Sequence, residues 1–262
     1  MGTLSRDGDP YGRISDLHRL RDGTFVAGSR WNARVPGVRE LPEFTVSRDS
    51  LVLRHLDTQL RTLDTVAVLP AAESLRQVTA RPSDKGTVVR RREMPRPLGR
   101  NAAFTLADGF VIAGTNDSFE WEEIGVDGRR RLLSRAPGLE RRVTTDVLDG
   151  LRGWYRSLAT TREQERQASA LLEDYPLPGA VPAFSTLRVD PAGRVWVARY
   201  RVTPDEPSTW YIFSASGRLL GRAALLHGMT VDDIGTDHVL GVWRNDLDVP
   251  FVVRVPLVAS HQ

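Results

Sequence analysis

The chain has 262 residues, of which 40% are hydrophobic and 26% charged, a composition typical of a globular protein. It contains no cysteine, which excludes disulfide bonds, thiolate metal sites and a cysteine nucleophile. The formal net charge of +3 comes from charges scattered along the chain, so the sequence predicts no nucleic-acid partner. The polar N-terminal stretch predicts no signal peptide, and no apolar run is long enough for a transmembrane segment.

A short motif recurs along the chain. LRDGTFVAG at residues 20–28 returns as LADGFVIAG at 106–114, as VDPAGRVWVA at 189–198 and, more weakly, as IGTDHVLGVW at 234–243. Asp-Gly between alternating apolar stretches predicts hairpins with type I′ turns. A second kind of turn follows at 127–128 and 216–217, so that each unit holds two hairpins. The sequence therefore predicts an all-β fold, a β-propeller of four-stranded blades, with a β-sandwich or barrel as the alternative.

About four blades are visible, within a single predicted domain of residues 1–262. They span about 14–71, 88–136, 184–226 and 229–257, and the fourth supplies about three strands. Residues 30–48 predict a loop. A helical insertion is predicted at about 143–175, between blades two and three, as a cover over apolar sheet edges. Its first helix starts near Thr144, and Thr161 with Gln164 forms a capping box for a second helix that runs to Leu172.

The C-terminal stretch IGTDHVLGVWRNDLDVPFVVRVPL, at 234–257, resembles the closing segment of bacterial six-bladed β-propellers of the NHL-repeat-like type. PAFSTLRVDPAGRVWVARYR at 182–201 and DYPLPGAVP at 174–182 are also similar to that family. The resemblance implies six blades, so the chain resembles an N-terminally truncated member, and it implies extracytoplasmic or membrane-anchored longer relatives. Five residues depart from the family pattern: Thr236, His238, Asn245, Asp246 and Pro250. Because proline cannot donate to a β-ladder, the strand at Pro250 is predicted to be an edge or to be bulged.

The turn WRNDLD supplies the predicted ligand-binding residues, Trp243, Arg244, Asp246 and Asp248. An aromatic ring beside an arginine and two carboxylates suits stacking and charge recognition. Asp246 and Asp248 also offer oxygen ligands for a divalent cation. The alternative is ordinary turn chemistry, in which Trp243 packs between sheets and Arg244 pairs with an aspartate.

Other side chains have structural and functional interpretations that the sequence leaves open. Trp31, Trp121 and Trp210 fit either an interface or burial between sheets. His238, within an apolar strand, is predicted to be hydrogen-bonded rather than to bind a metal. Adjacent carboxylates such as Glu122 and the residue after it are predicted to point to opposite faces of a strand.

The sequence contains no recognisable catalytic or metal motif, and no catalytic residue, metal site or cofactor is predicted beyond the cation at Asp246 and Asp248. It favours a non-enzymatic propeller that binds an unidentified protein, peptide or carbohydrate. One alternative is a metal-dependent, lactonase- or lyase-like propeller hydrolase, which needs acidic side chains on several innermost strands. Those strands supply almost none before Asp232 and Asp233. The other alternative is a truncated fragment with no independent function, and the compartment stays open.

Overall fold

The computed structural model describes residues 14–31, 43–84, 86–107, 109–135, 141–170, 172–173, 175–245 and 247–258. The described chain is mostly β, with antiparallel sheets and two helices. It divides into two compact units. The first comprises Met1–Ala102 and Arg141–Pro182, and the second comprises Ala103–Glu140 and Ala183–Gln262.

The first unit holds a five-stranded antiparallel sheet, called sheet 1. Its strands lie in chain order: β1 (Ile14–Arg19), β2 (Phe25–Trp31), β3 (Phe44–Leu56), β4 (Thr62–Ser83) and β5 (Gly86–Pro95). Four consecutive residues of β3, 51–54, are buried, so this part of the strand has covered side chains on both faces. Val26, Leu53 and Leu75 are completely inaccessible to solvent and lie in the core of this unit.

Two segments in this unit differ from the sequence-based expectation. The repeat pattern predicts residues 88–95 in the second blade, but they belong to β5, and the whole of β5 pairs with β4. The predicted loop at 30–48 is wrong at both ends, because β2 runs to Trp31 and β3 begins at Phe44. The stretch 32–42 lies outside the described residues. β3 and β4 extend well beyond the length of an ordinary blade strand, which the turn signals alone do not reveal.

The predicted helical insertion lies between two short strands, β10 (Arg141–Arg142) and β11 (Ala180–Val181), which pair with each other. Helix α1 covers Thr145–Ser157, and Thr144 caps it by accepting a hydrogen bond from the Val147 amide. Helix α2 covers Arg162–Ala170, two residues shorter than predicted. The Thr161 hydroxyl accepts from the Gln164 amide, as expected. The Gln164 side chain, however, accepts from Thr160 rather than closing a box onto Thr161.

The segment after α2 is fastened to sheet 1. Arg96 donates from Nε to the Pro176 carbonyl at 2.8 Å and from Nη1 to Glu73 at 2.9 Å. The Tyr175 ring packs edge-on against Phe44, with centroids 5.2 Å apart. Glu73 is itself buried, so loss of Arg96 would leave a buried carboxylate without its ionic partner. Contacts to sheet 1 therefore hold the excursion a few residues before β11, in addition to the β10–β11 pair at its base.

The second unit holds three sheets. Sheet 2 has the order β6 (Ala102–Ala107), β7 (Phe110–Thr115), β8 (Glu120–Gly125) and β9 (Arg130–Arg135). Sheet 3 has the order β12 (Phe184–Val189), β13 (Val195–Arg199), β14 (Ser208–Phe213) and β15 (Leu219–Leu225). Sheet 4 has three strands: β16 (Met229–Ile234), β17 (His238–Arg244) and β18 (Pro250–Pro256). The bounds of sheets 3 and 4 agree with the repeat units at 184–226 and 229–257.

Sheet 3 packs between sheets 2 and 4, and strand β13 shows why. Its residues alternate: Val195 and Val197 face a cluster shared with sheet 2, whereas Trp196 and Ala198 face a cluster shared with sheet 4. Because strand side chains alternate between faces, a continuously buried VWVA run requires a covering sheet on each side. Trp121 and Trp210 are both buried in these clusters, which decides their role in favour of packing.

Six hairpin turns share one hydrogen-bond pattern, and it is not the predicted type I′ turn. In each, the first residue donates to the carbonyl four positions on, and the fourth donates back to the carbonyl of the first. These turns are at residues 20–24, 57–61, 125–129, 190–194, 214–218 and 245–249. Among the described residues of these turns, only the fourth has positive φ. This is the type I turn followed by a bulge, in which the aspartate of Asp-Gly keeps an ordinary φ and only the next residue needs the left-handed region.

One glycine in this set also has a steric role. Gly217 has a φ of 81° and lies against the backbone of Leu133 in sheet 2, where a Cβ would collide with the Leu133 carbonyl. The turn of sheet 3 therefore approaches sheet 2 more closely than any residue with a side chain would allow.

Candidate functional site

A cavity of about 300 Å³ lies between sheets 2 and 3, at the end that carries their hairpin turns. Eight of its ten lining residues are apolar, alanine or glycine: Ala107, Phe110, Ile112, Leu133, Val189, Gly193, Val195 and Ala215. The other two are Glu123 and Arg131. An apolar concavity with a few placed polar groups is the usual form of a binding site.

The polar pair of the cavity is an ion pair across neighbouring strands. Arg131 donates from Nη2 to Glu123 Oε2 at 2.7 Å, as expected for directly opposed residues of β8 and β9. The Glu123 side chain is 26% exposed and that of Arg131 is 61% exposed, so the guanidinium has more contact with solvent. Arg131 therefore retains donors that a carboxylate at the cavity mouth can use.

Aromatic rings support the wall behind the cavity. Phe119 and Trp121 on the sheet 2 side meet Phe184 and Phe213 of sheet 3, and all four side chains are buried. The Trp121 and Phe213 rings make an edge contact with centroids 4.6 Å apart. The Trp121 indole N–H is buried, and no described residue accepts a hydrogen bond from it. Such edge-to-face packing keeps the wall in one arrangement and supports a preformed cavity.

The sequence-predicted site is at a different place, the hairpin between β17 and β18. Arg244 donates from Nη1 to the Asp248 carbonyl at 3.0 Å and to its carboxylate at 3.2 Å. Trp243 is half-buried, packs against the cluster shared by sheets 3 and 4, and lies 6.0 Å from the Phe251 ring. Asp246 lies outside the described residues. The structure brings Trp243, Arg244 and Asp248 into one turn, but none of them lines the cavity.

Asn245 is the residue of this turn that sequence reasoning did not select. Its side-chain oxygen accepts from the amides of Leu247 and Val249, both at 3.0 Å. Asp248 occupies the position of positive φ, at 58°. The turn therefore has the ordering contacts of the other hairpins, and Leu247 projects from it with 82% exposure.

A charged cluster stabilises the other end of the same strands. Asp237 accepts from His238 Nδ1 at 2.6 Å and from Arg254 Nη2 at 3.1 Å. The hydrogen bond from His238, followed by the charge of Arg254, lowers the pKa of the Asp237 carboxyl. His238 is thus hydrogen-bonded at a half-buried position, as predicted.

The cavity could have been anticipated only in part. Glu122 and Glu123 lie on adjacent, oppositely facing strand positions, as expected, and Glu123 is the one that faces sheet 3. The sequence predicts that these two side chains point to opposite faces of the sheet, but not which face packs against another sheet. Within the described ranges, no group of three or more His, Asp or Glu side chains has the geometry to hold a metal ion. Neither described helix combines the length and apolar character needed to cross a membrane.

Comparisons with known proteins give little further information. The chain matches no family model, and no curated protein matches it. Among solved structures it is similar to the AfRom2 CNH domain, with 8% sequence identity over 95% of this chain and 96% of that chain. The TM-score of that superposition is 0.24, so the similarity carries no argument about this chain.

Proposed function

We propose that the chain is a non-enzymatic binding protein that takes up an apolar side chain of a partner peptide in the cavity between sheets 2 and 3. The observation that carries this proposal is the combination of an apolar cavity of about 300 Å³ with the exposed guanidinium of Arg131 at its mouth. This volume is at the lower end for ligand sites, which fits one side chain better than a large cofactor. Arg131 favours a carboxylate beside that side chain.

The architectural part of the proposal is a β-propeller of the six-bladed, NHL-repeat-like kind. Its support is the recurrence of the turn motif, the four-stranded antiparallel order of sheets 2 and 3, and their face-to-face packing. In such a fold, the turn ends of adjacent blades form a binding surface. An extracytoplasmic role, and the WRNDLD turn as a second contact for the partner through Trp243 and Arg244, remain part of the same proposal.

The test begins with peptides selected by phage display on the folded chain, whose affinities are then measured by fluorescence anisotropy. Selected peptides are expected to carry an apolar residue next to Asp or Glu. Ala215→Phe fills the cavity from an exposed turn position, and Arg131→Ala removes the guanidinium at its mouth. Each change is expected to weaken binding about tenfold or more, the usual effect of losing an apolar anchor or a charged hydrogen bond.

The controls keep the chemistry of each change and move it off the cavity. Ala192→Phe places the same ring on the β12–β13 turn, and Arg130→Ala removes the neighbouring arginine of β9, and neither residue lines the cavity. Both controls should bind like the wild type. Equal affinity of Ala215→Phe and Ala192→Phe for the selected peptides would contradict the proposal.

A further inference from the structure

Among the described residues, strand β18 is the outer edge of sheet 4, with no strand paired on its far side. Sheets 2 and 3 have four strands each, whereas sheet 4 has three within the described part of the chain, and β18 is the outermost. Val252 is 84% exposed and Phe251 is 46% exposed. An edge of this kind presents backbone N–H and C=O groups that another strand can use.

The pairing with β17 decides which groups of β18 face outward. The register runs without a shift from His238↔Pro256 to Arg244↔Pro250. It is bounded by hydrogen bonds from the Asn245 amide to the Val249 carbonyl and from the Leu257 amide to the Asp237 carbonyl. Bonded and non-bonded pairs alternate in an antiparallel ladder, so the odd-numbered residues of β18 bond to β17. The even-numbered residues therefore direct their backbone groups to the open edge.

Both prolines of the strand fall on even-numbered positions. Pro250 and Pro256 have no N–H, so the outward donors of β18 are the amides of Val252 and Arg254. These two donors lie symmetrically about Val253. The edge can thus pair only with a short strand. Its outward positions, proline, donor, donor and proline, are in the same order from either end of the strand.

Three other outer strands are protected differently. β5 and β9 carry several arginines, and β15 has a register shift that disturbs its edge. β18 has no shift, and its single charged residue, Arg254, already pairs with Asp237. Two copies of this edge can therefore approach each other without bringing together uncompensated charges.

We propose that β18 pairs antiparallel with β18 of a second copy of the chain, about a two-fold axis through Val253. In this register the two strands overlap over their whole length, and Val252 lies opposite Arg254 of the other copy. Each such pair exchanges two hydrogen bonds, which satisfies both outward donors of both strands. Prolines lie opposite prolines, so the ladder ends cleanly on both sides. A two-fold contact of this type closes on itself and gives a dimer rather than a fibre.

A shift of the axis along the strand is less favourable. An axis through Arg254 would place the two guanidinium groups directly opposite each other. With the axis through Val252, Pro256 would lie beyond the end of the other strand, opposite Asp248 in its turn. The register centred on Val253 avoids both, because neither like charges nor turns are opposed.

The first test uses the absence of cysteine from the chain. Val253→Cys places one thiol next to its own symmetry mate, in the close, non-bonded type of pair. Val255→Cys is the matched control: it changes a half-buried valine of the same strand and face, but its mate lies several residues away in this register. Under mild oxidation, Val253→Cys should form disulfide-linked dimers and Val255→Cys should stay monomeric on a non-reducing gel. Equal cross-linking of both variants would overturn the proposal.

The second test measures association without a new thiol. Sedimentation velocity of the wild type over a concentration series should show a monomer–dimer equilibrium. Val252→Pro removes an outward N–H and no bond to β17, and should weaken the dimer about 30-fold because two hydrogen bonds are lost per dimer. Val258→Pro, equally exposed but beyond the strand, should leave the equilibrium unchanged. A wild type that stays monomeric at every concentration, or a dimer that Val252→Pro does not weaken, would overturn the proposal.

Discussion

The β3–β4 and β12–β13 hairpins have the same hydrogen-bond pattern in different surroundings. In each, an aspartate at the first turn position accepts from the amides two and four residues on and pairs with an arginine, Asp57 with Arg61 and Asp190 with Arg194. The Asp57 turn is at the surface. The Asp190 side chain is fully buried and also accepts from the Trp196 indole at 2.9 Å. One local motif therefore serves as a surface turn in the first case and as part of a core in the second.

The difference shows how burial changes the importance of identical contacts. When a surface carboxylate is removed, water can accept hydrogen bonds from the donors that it leaves. When a buried carboxylate is removed, its donors stay without acceptors. The fourth turn position differs as well: it is Gly193 in the β12–β13 hairpin and Leu60 in the exposed β3–β4 hairpin, with φ values of 75° and 62°. The exposed hairpin thus tolerates a residue that the left-handed region disfavours.

The largest effect is expected from Asp190→Ala. This change leaves the buried indole N–H of Trp196 and two turn amides without their acceptor, and should lower the free energy of unfolding by about 3 kcal/mol. Asp57→Ala removes the equivalent contacts at the surface and should cost much less. Urea unfolding of both variants measures the difference. Equal losses would show that the turn, and not its burial, determines the contribution.

A smaller effect of opposite sign is expected at Leu60. Leu60→Gly gives the exposed hairpin the residue that the β12–β13 hairpin already has, and relieves the strain of a positive φ. Since glycine also raises the entropy of the unfolded chain, the net gain in stability should be about 0.5 kcal/mol. Thermal denaturation should show a modest rise in Tm. The control, Gly193→Leu, places a side chain at a positive φ and should lower the Tm of the protein. A fall in Tm with Leu60→Gly would contradict this account.

The smallest expected effect is on the acid dependence of stability. Hydrogen bonding from the Arg61 amide lowers the pKa of Asp57 in the folded state. Its contribution is therefore present above the unfolded pKa and is lost as the pH falls through the folded value. Asp57→Asn should make the decline in stability below about pH 4 shallower.

Asp49 provides the control with the reverse sign. Burial, followed by the charge of Glu93, raises the pKa of its carboxyl in the folded state. The folded protein therefore takes up this proton before the unfolded chain does, and gains stability as the pH falls through the raised value. Asp49→Asn should remove that gain and steepen the net acid decline. Chemical denaturation at a series of pH values measures the slope of stability against pH in both variants and in the wild type. A change in slope of the same sign in the two variants, relative to the wild type, would refute this assignment.

The sequence predicts local features well where they depend on neighbouring residues. The start of α1 at Thr144, the strands of sheets 3 and 4 and the edge position of the strand at Pro250 all follow from caps, alternation and proline chemistry. The predicted turn type is wrong because Asp-Gly occurs both in type I′ turns and in type I turns followed by a bulge. Only the backbone φ of the aspartate distinguishes the two. The sequence does not predict the positive φ of Leu60, because leucine is not a residue type that indicates the left-handed region.

The cavity could not be predicted because it depends on how two sheets meet. Ala107, Val195 and Ala215 come from separate hairpins, and each has an unremarkable local sequence. Their convergence depends on the close approach of Gly217 to Leu133, a contact between residues more than 80 positions apart. The WRNDLD turn stood out in the sequence because its charges are adjacent. The roles predicted there for Trp243, Arg244, Asp246 and Asp248 stay predictions.

The short β10–β11 pair has a consequence for how this chain can vary. It joins Arg141 to Val181 and so brings both ends of the helical excursion to one point. Because the ends are already adjacent, the number of residues between them changes the entropy of loop closure only slowly. An excursion of this kind can lengthen, shorten or be exchanged in evolution while the strands on either side keep their places. Among related chains, length variation should therefore be greatest between these two strands.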